Sequence, residues 1–93
     1  MGSMIAVLGL LDREMEIQVR LYGTLGKGLP DHDPLKGMTL DLQEGSSVAD
    51  LIKRLEISRK KVGIISVGGS LVKDTKILQD GDYVRLYRPI FGG

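Results

Sequence analysis

The sequence predicts an α+β domain in which one helix crosses one face of a mixed sheet of four to five strands. Three observations carry that expectation. Apolar residues alternate with polar ones at Ile17, Val19 and Leu21, at Met38, Leu40 and Leu42, and at Val84 and Leu86, the period of a strand with one buried face. One stripe, Val48, Leu51, Ile52 and Leu55, has the i, i+3, i+4, i+7 spacing of a helix. The chain has 93 residues, 42% apolar and 27% charged, which suits one hydrophobic core and argues against disorder.

Taken in order, the ordered domain is expected to begin at Glu14–Met15 with the first strand. Four glycines and two prolines among residues 23–37 deny regular structure and predict a loop. The strand at Met38–Gln43 then pairs antiparallel with the first by default. Glu44-Gly45 turns the chain, and Ser47 is placed to cap a helix over Val48–Leu55, with Asp50 at capping-box spacing. Two turns are marginal alone, so the sheet must hold them. Ser58–Lys61 reads as a basic, solvated loop. Gly63–Val67 is a β-rich run ended by Gly68-Gly69, and Leu71-Val72 reads as a brief strand. Ile77-Leu78 is expected to plug the core before the Asp80-Gly81-Asp82 turn. Tyr83–Tyr87 is the last strand, and Pro89 ends its pairing. Parallel pairing of the first and last strands at the sheet centre would bury the most surface.

Composition narrows the chemistry. No cysteine excludes a disulfide framework, a thiol nucleophile and a Cys-based zinc site. The single histidine, His32, sits in the Pro/Asp/Gly loop and makes a His-based metal site or triad improbable. A formal net charge of +1 removes the electrostatic argument for nucleic acid or an acidic membrane. The apolar run Ile5–Leu11 is far short of the roughly 20 residues of a membrane span and lacks the flanks of a signal peptide. Met1-Gly2-Ser3 reads as an expression scar, residues 1–14 as an extension, 15–89 as the domain and 90–93 as a free tail. A cytoplasmic setting is expected.

The sequence ends in Gly92-Gly93. Two residues without side chains make a tail thin enough to thread a narrow channel, with a carboxylate as its functional group. Four segments occur in order: Met15-Glu-Ile-Gln-Val-Arg-Leu-Tyr-Gly, Glu44-Gly-Ser-Ser-Val-Ala-Asp-Leu-Ile, Leu78-Gln-Asp-Gly-Asp-Tyr-Val and Pro89-Ile-Phe-Gly-Gly. Together they resemble the MoaD/ThiS family of ubiquitin-like sulfur carriers, whose fold is the β-grasp. Two positions depart from the family pattern. Gly68 stands where Asn is frequent, and Arg88-Pro89-Ile90-Phe91 replaces a Pro-Pro run, which puts a bulky Phe91 in the tail.

The resemblance implies a carrier rather than an enzyme. A ubiquitin-activating-like adenylyltransferase would use MgATP to adenylate the Gly93 carboxylate, which is otherwise an ionised, poor electrophile. A persulfide from a donor protein would then yield a thiocarboxylate. The acceptor would be a synthase, either the large subunit of a molybdopterin synthase or a thiazole synthase. The MoaD-like route is preferred on the Leu21-Tyr22-Gly23 segment and the long loop after it. This chain would bind no cofactor or metal itself and would be a monomer when free, with neither nucleic acid nor membrane as partner. Gly92 keeps the tail thin. Pro89, Ile90 and Phe91 would contact the partner's tunnel. Arg20, Tyr22, Arg85 and Tyr87 would form an exposed sheet face that docks partners; a plain solvated face is the alternative. Two other functions compete: a protein modifier joined to lysine through the same carboxyl, and a TGS-type β-grasp module that binds a ligand or RNA.

Overall fold

The computed structural model describes residues 13–89, and within them each alternating apolar run forms a strand. In chain order these are β1 (Glu14–Leu21), a 3-10 turn (Gly23–Gly26), β2 (Met38–Gln43), α1 (Val48–Arg54), a second 3-10 turn (Arg59–Lys61), β3 (Ile65–Val67), β4 (Ser70–Leu71) and β5 (Tyr83–Leu86). The sheet order is β2-β1-β5-β3-β4. β1 is antiparallel to β2 and parallel to β5, and β5 is antiparallel to β3. The two strands with the most to bury therefore lie inside the sheet. This is the β-grasp arrangement of a mixed five-stranded sheet with one main helix.

Ile17, Val19, Val84 and Leu86 point inward and are at most 1% exposed, packed with Val48 and Leu51 of α1 at 0%. Each such side chain contributes roughly 1.5–3 kcal/mol relative to staying in water. Leu78 joins this core at 2% exposure, but Ile77, expected to share the role, is 53% exposed. The reason is local pairing: Ile77 bridges to Ser47 and Leu78 N–H donates to the Ser46 carbonyl, so consecutive side chains face opposite ways.

α1 is short, and backbone from elsewhere completes its ends. Val48 and Ala49 N–H groups donate to the Lys76 and Asp74 carbonyls, each at 2.9 Å. Ser47 and Asp50 form a reciprocal capping box. At the other end Leu55 is the C-cap rather than the last helical residue. Glu56 adopts φ 58° and donates its N–H to Lys53, while Ile57 donates to Ile52. That is a Schellman motif with glutamate where glycine is usual, so no glycine marked it in the sequence.

The 23–37 segment holds more structure than its composition suggested. Leu25, on the first 3-10 turn, is buried in the core. Asp33 Oδ1 accepts the N–H groups of Leu35 and Lys36, and Asp33 and Gly37 exchange backbone hydrogen bonds. Gly37 has φ 78°, and a Cβ there would sit 2.3 Å from the Val19 carbonyl oxygen, so glycine alone lets the loop rejoin the sheet. At the far edge Gly68 and Gly69 both have positive φ, as a two-residue type I′ hairpin between β3 and β4 demands. β4 starts one residue earlier than expected, at Ser70. No helix among the described residues is long and apolar enough to cross a membrane.

The Ser47 backbone N–H, then its hydroxyl, hold the Asp50 carboxylate below its ordinary range. The Lys36 and Leu35 amides do the same for Asp33. A depressed folded-state value gives stability that is complete above the unfolded-state value and lost as pH falls through the folded one. Asp50→Asn and Asp33→Asn should therefore each flatten the acid-side decline of the denaturation midpoint. Ser47→Ala should cost about 1 kcal/mol in denaturant unfolding. An unchanged acid slope in both Asn variants would contradict these bonds.

Candidate functional site

The sheet's central strand leads directly into the C-terminal segment. Beyond Leu86 the pairing continues for a short distance: Tyr22 N–H donates to the Leu86 carbonyl at 3.0 Å, Tyr87 N–H to Ile64 at 2.9 Å and Gly63 N–H to Tyr87 at 2.7 Å. Two glycines then make room for the chain to leave. A Cβ at Gly63 would lie 2.6 Å from Pro89 Cα and 2.8 Å from Pro89 N. A Cβ at Gly23, whose φ is 62°, would lie 3.3 Å from Arg88 Cδ. The root of the tail thus runs between the end of β1 and the segment before β3. Neither glycine was singled out as a site residue, because a lone glycine in a loop does not show what passes over it.

The sheet face opposite α1 brings together four of the residues named for docking. The parallel register sets Arg20 beside Arg85. The next side chains on that face are Tyr22 and Tyr87, whose rings stack 4.4 Å apart at 13°. The Arg20 guanidinium lies 4.7 Å from the Tyr22 ring centroid, and Arg85 lies 4.7 Å from that of Tyr83. Parallel pairing explains this order, since Arg-x-Tyr on both strands runs in the same direction. The face is not simply exposed, as expected, because these side chains cover one another: Arg20, Tyr22, Arg85 and Tyr87 are each half-buried. Tyr83, half-buried too, shares this face, as the alternation of the last strand predicts; buried Ser66 belongs to it as well and was not anticipated, since only strand register reveals it.

Pro89 is half-buried against Gly63. Ile90, Phe91, Gly92 and Gly93 lie outside the described residues, as do nearly all of residues 1–14; Glu14 itself begins β1. A groove of about 580 Å³ flanks the tail root, lined by Leu25, Leu29, Leu55, Ile57, Lys61 and Arg88 among others. His32 has a structural task. Its Nε2 accepts the Leu21 N–H at 3.0 Å, just beyond the point where β2 begins opposite Val19, so the ring stands in for a missing strand carbonyl. Its ring fits against Gly26, where a Cβ would be 2.4 Å from Nδ1. Among the described residues no group of three His, Asp or Glu side chains is placed to hold a metal.

The model of the Mut7-C ubiquitin family matches residues 14–92. The chain belongs to that family. The match spans the whole described sheet, so this Mut7-C ubiquitin domain includes the tail root and the Arg/Tyr face. No curated protein matches the chain in sequence. Among solved structures it is similar to the HVO 2177 protein of Haloferax volcanii, with a TM-score of 0.66, 20% identity, and 86% of this chain and 88% of that one covered. It is similar to a putative molybdopterin converting factor, subunit 1, from Pyrococcus furiosus, with a TM-score of 0.63, 21% identity, and coverage of 82% and 99%. Small archaeal modifier protein 1 of Haloferax volcanii gives a TM-score of 0.62, 13% identity, and coverage of 82% and 99%. At these identities the likeness is one of fold, and the fold is the ubiquitin-like β-grasp that the four sequence segments implied.

Gly63→Ala tests the path of the tail root. Backbone atoms of Pro89 must move to admit the methyl group, at a cost of about 1–3 kcal/mol in stability. Amide resonances of Tyr87 and Arg88 should shift while those of Ile17 and Val19 stay in place. Unmoved resonances at Tyr87 and Arg88 would contradict the close crossing.

Proposed function

We propose that this domain is a ubiquitin-like carrier whose Gly93 carboxylate is activated by a partner enzyme and loaded with sulfur. The observation that supports the reading most is the course of β5. The central strand of the sheet passes through the Arg/Tyr face and leads, within three residues of Leu86, into a segment ending in Gly92-Gly93. A partner seated on that face would meet the start of the tail at its border. Pro89, Ile90 and Phe91 then contact the tunnel, and Gly92 and Gly93 leave the carbonyl uncrowded.

The chemistry is divided among proteins. The carboxylate attacks ATP, with magnesium, on a ubiquitin-activating-like enzyme, giving an acyl-adenylate and pyrophosphate. A donor persulfide displaces AMP, and a second thiol takes the inner sulfur as a disulfide, which releases the thiocarboxylate. The residues of this chain supply docking and an unhindered carbonyl; it is a co-substrate rather than the catalyst. For the acceptor we favour a molybdopterin-type synthase over a thiazole synthase. The Pyrococcus furiosus neighbour is described as a subunit of a molybdopterin converting factor, which supports that preference. A second reading, conjugation to lysine through the same activated carboxyl, is favoured by the likeness to small archaeal modifier protein 1. Both readings share the adenylation step and fit a cytoplasmic protein.

The test is ATP–pyrophosphate exchange by a purified ubiquitin-activating-like adenylyltransferase. The unmodified chain should stimulate exchange. One residue added after Gly93 should abolish it, and Gly93→Ala should lower it about tenfold or more, by crowding the carboxylate as it attacks ATP. Both variants should keep the wild-type unfolding midpoint. Equal exchange with the extended chain would overturn the assignment of Gly93.

A further inference from the structure

Three polar atoms of the outer face lack hydrogen-bond partners, and the sheet register sets them in one row. Arg20 on β1 is beside Arg85 on β5, and Arg85 is beside Ser66 on β3. Arg20 Nε, Arg85 Nε and Ser66 Oγ are each shut off from water and unpartnered. Ser66 is 5% exposed. A buried donor without an acceptor carries its desolvation cost unrepaid. Like charges side by side on neighbouring strands add repulsion. No acid relieves it, for neither arginine has an ion-pair partner among the described residues. The acids of the same face on β1 and β2 are Glu14, Glu16 and Asp41; the nearer ones, Glu16 and its neighbour Asp41, stand four positions from Arg20, roughly 13 Å at the strand rise.

We infer that this row is the receptor for a carboxylate, an Asp or Glu side chain presented by a protein that docks on the outer face. The inference rests on the docking role given to that face above and supplies the partner's chemistry. Stacking on Tyr22 and Tyr83 fixes the plane of each guanidinium and leaves its edge for in-plane, bidentate acceptance by a carboxylate. Drawing the guanidinium groups outward brings Nε–H to the acceptor, and the Ser66 hydroxyl is the third donor. Charge complementarity selects the occupant: two unpaired cations meet an acidic segment. The same rings argue against single-stranded RNA, which would need free aromatic faces for its bases. Tyr22 and Tyr87 cover each other, and Arg20 and Arg85 lie over Tyr22 and Tyr83.

The experiment titrates the full chain with a capped hexaglutamate peptide, and in parallel with hexauridylate, while the arginine Nε–H resonances are followed by NMR. Saturable shifts at Arg20 and Arg85 with hexaglutamate are expected. Arg20→Gln and Arg85→Gln should each weaken that binding about fivefold or more, as loss of a charge-assisted pair requires. Arg59→Gln, which alters a pair with Asp74 outside the row, should leave it unchanged. Core amides of Ile17 and Val84 report whether each variant is folded. No saturable response, an equal loss in Arg59→Gln, or a stronger response to hexauridylate at the same residues overturns the proposal. No activating enzyme is present, so the result separates from that of pyrophosphate exchange: exchange without a hexaglutamate response removes the receptor alone, and a response without exchange removes the carrier alone.

Discussion

The parallel pairing of β1 with β5 is the constraint on which the other features depend. It joins the two ends of the domain at the centre of the sheet, where Val19 is opposite Val84 and Leu21 opposite Leu86. Strands so far apart in sequence pair only when a hydrophobic layer offsets the entropy of closing the long loop between them. α1 is the cover for that layer. The helix is too short to persist alone, so it and the strand pair stabilise each other. The 73–78 segment ties the helix N-terminus to the approach to β5 by backbone hydrogen bonds from Val48, Ala49 and Leu78.

The same pairing builds the outer face. A strand presents alternate residues to opposite sides, so the register that buries Val84 and Leu86 also places Arg85 beside Arg20 and Tyr87 over Tyr22. Slipping β5 by one residue would exchange the core for the outer face. The tail root is fixed by the same geometry, because the chain leaves β5 between Gly23 and Gly63. Core, face and tail root are thus consequences of one register.

Much of this was legible in the sequence wherever a periodic pattern has one physical meaning. The alternation at Ile17, Val19 and Leu21, the α1 stripe and the Ser47–Asp50 cap each gave the observed element. That Arg20 and Tyr22, and Arg85 and Tyr87, share the outer face was legible because one strand's polar face follows from its apolar one. What escaped depends on contacts between distant residues. Ser66 joins the face only through register, and Gly63 matters only because Pro89 crosses it. His32 could not be read as a strand cap from a loop rich in glycine and proline. Ile77 was misplaced because adjacent apolar residues do not reveal which of them points inward. Glu56 ends the helix in a conformation normally marked by glycine.

The most direct measurement is the intact mass of this protein isolated from its own cells, with its C-terminal peptide sequenced by fragmentation. The account predicts that the chain ends at Gly93 and that a fraction is about 16 Da heavier at that residue, sulfur having replaced oxygen at the activated carboxyl. A chain that continues past Gly93, or one that carries only an unmodified carboxylate while the activating enzyme is present and active, would contradict it.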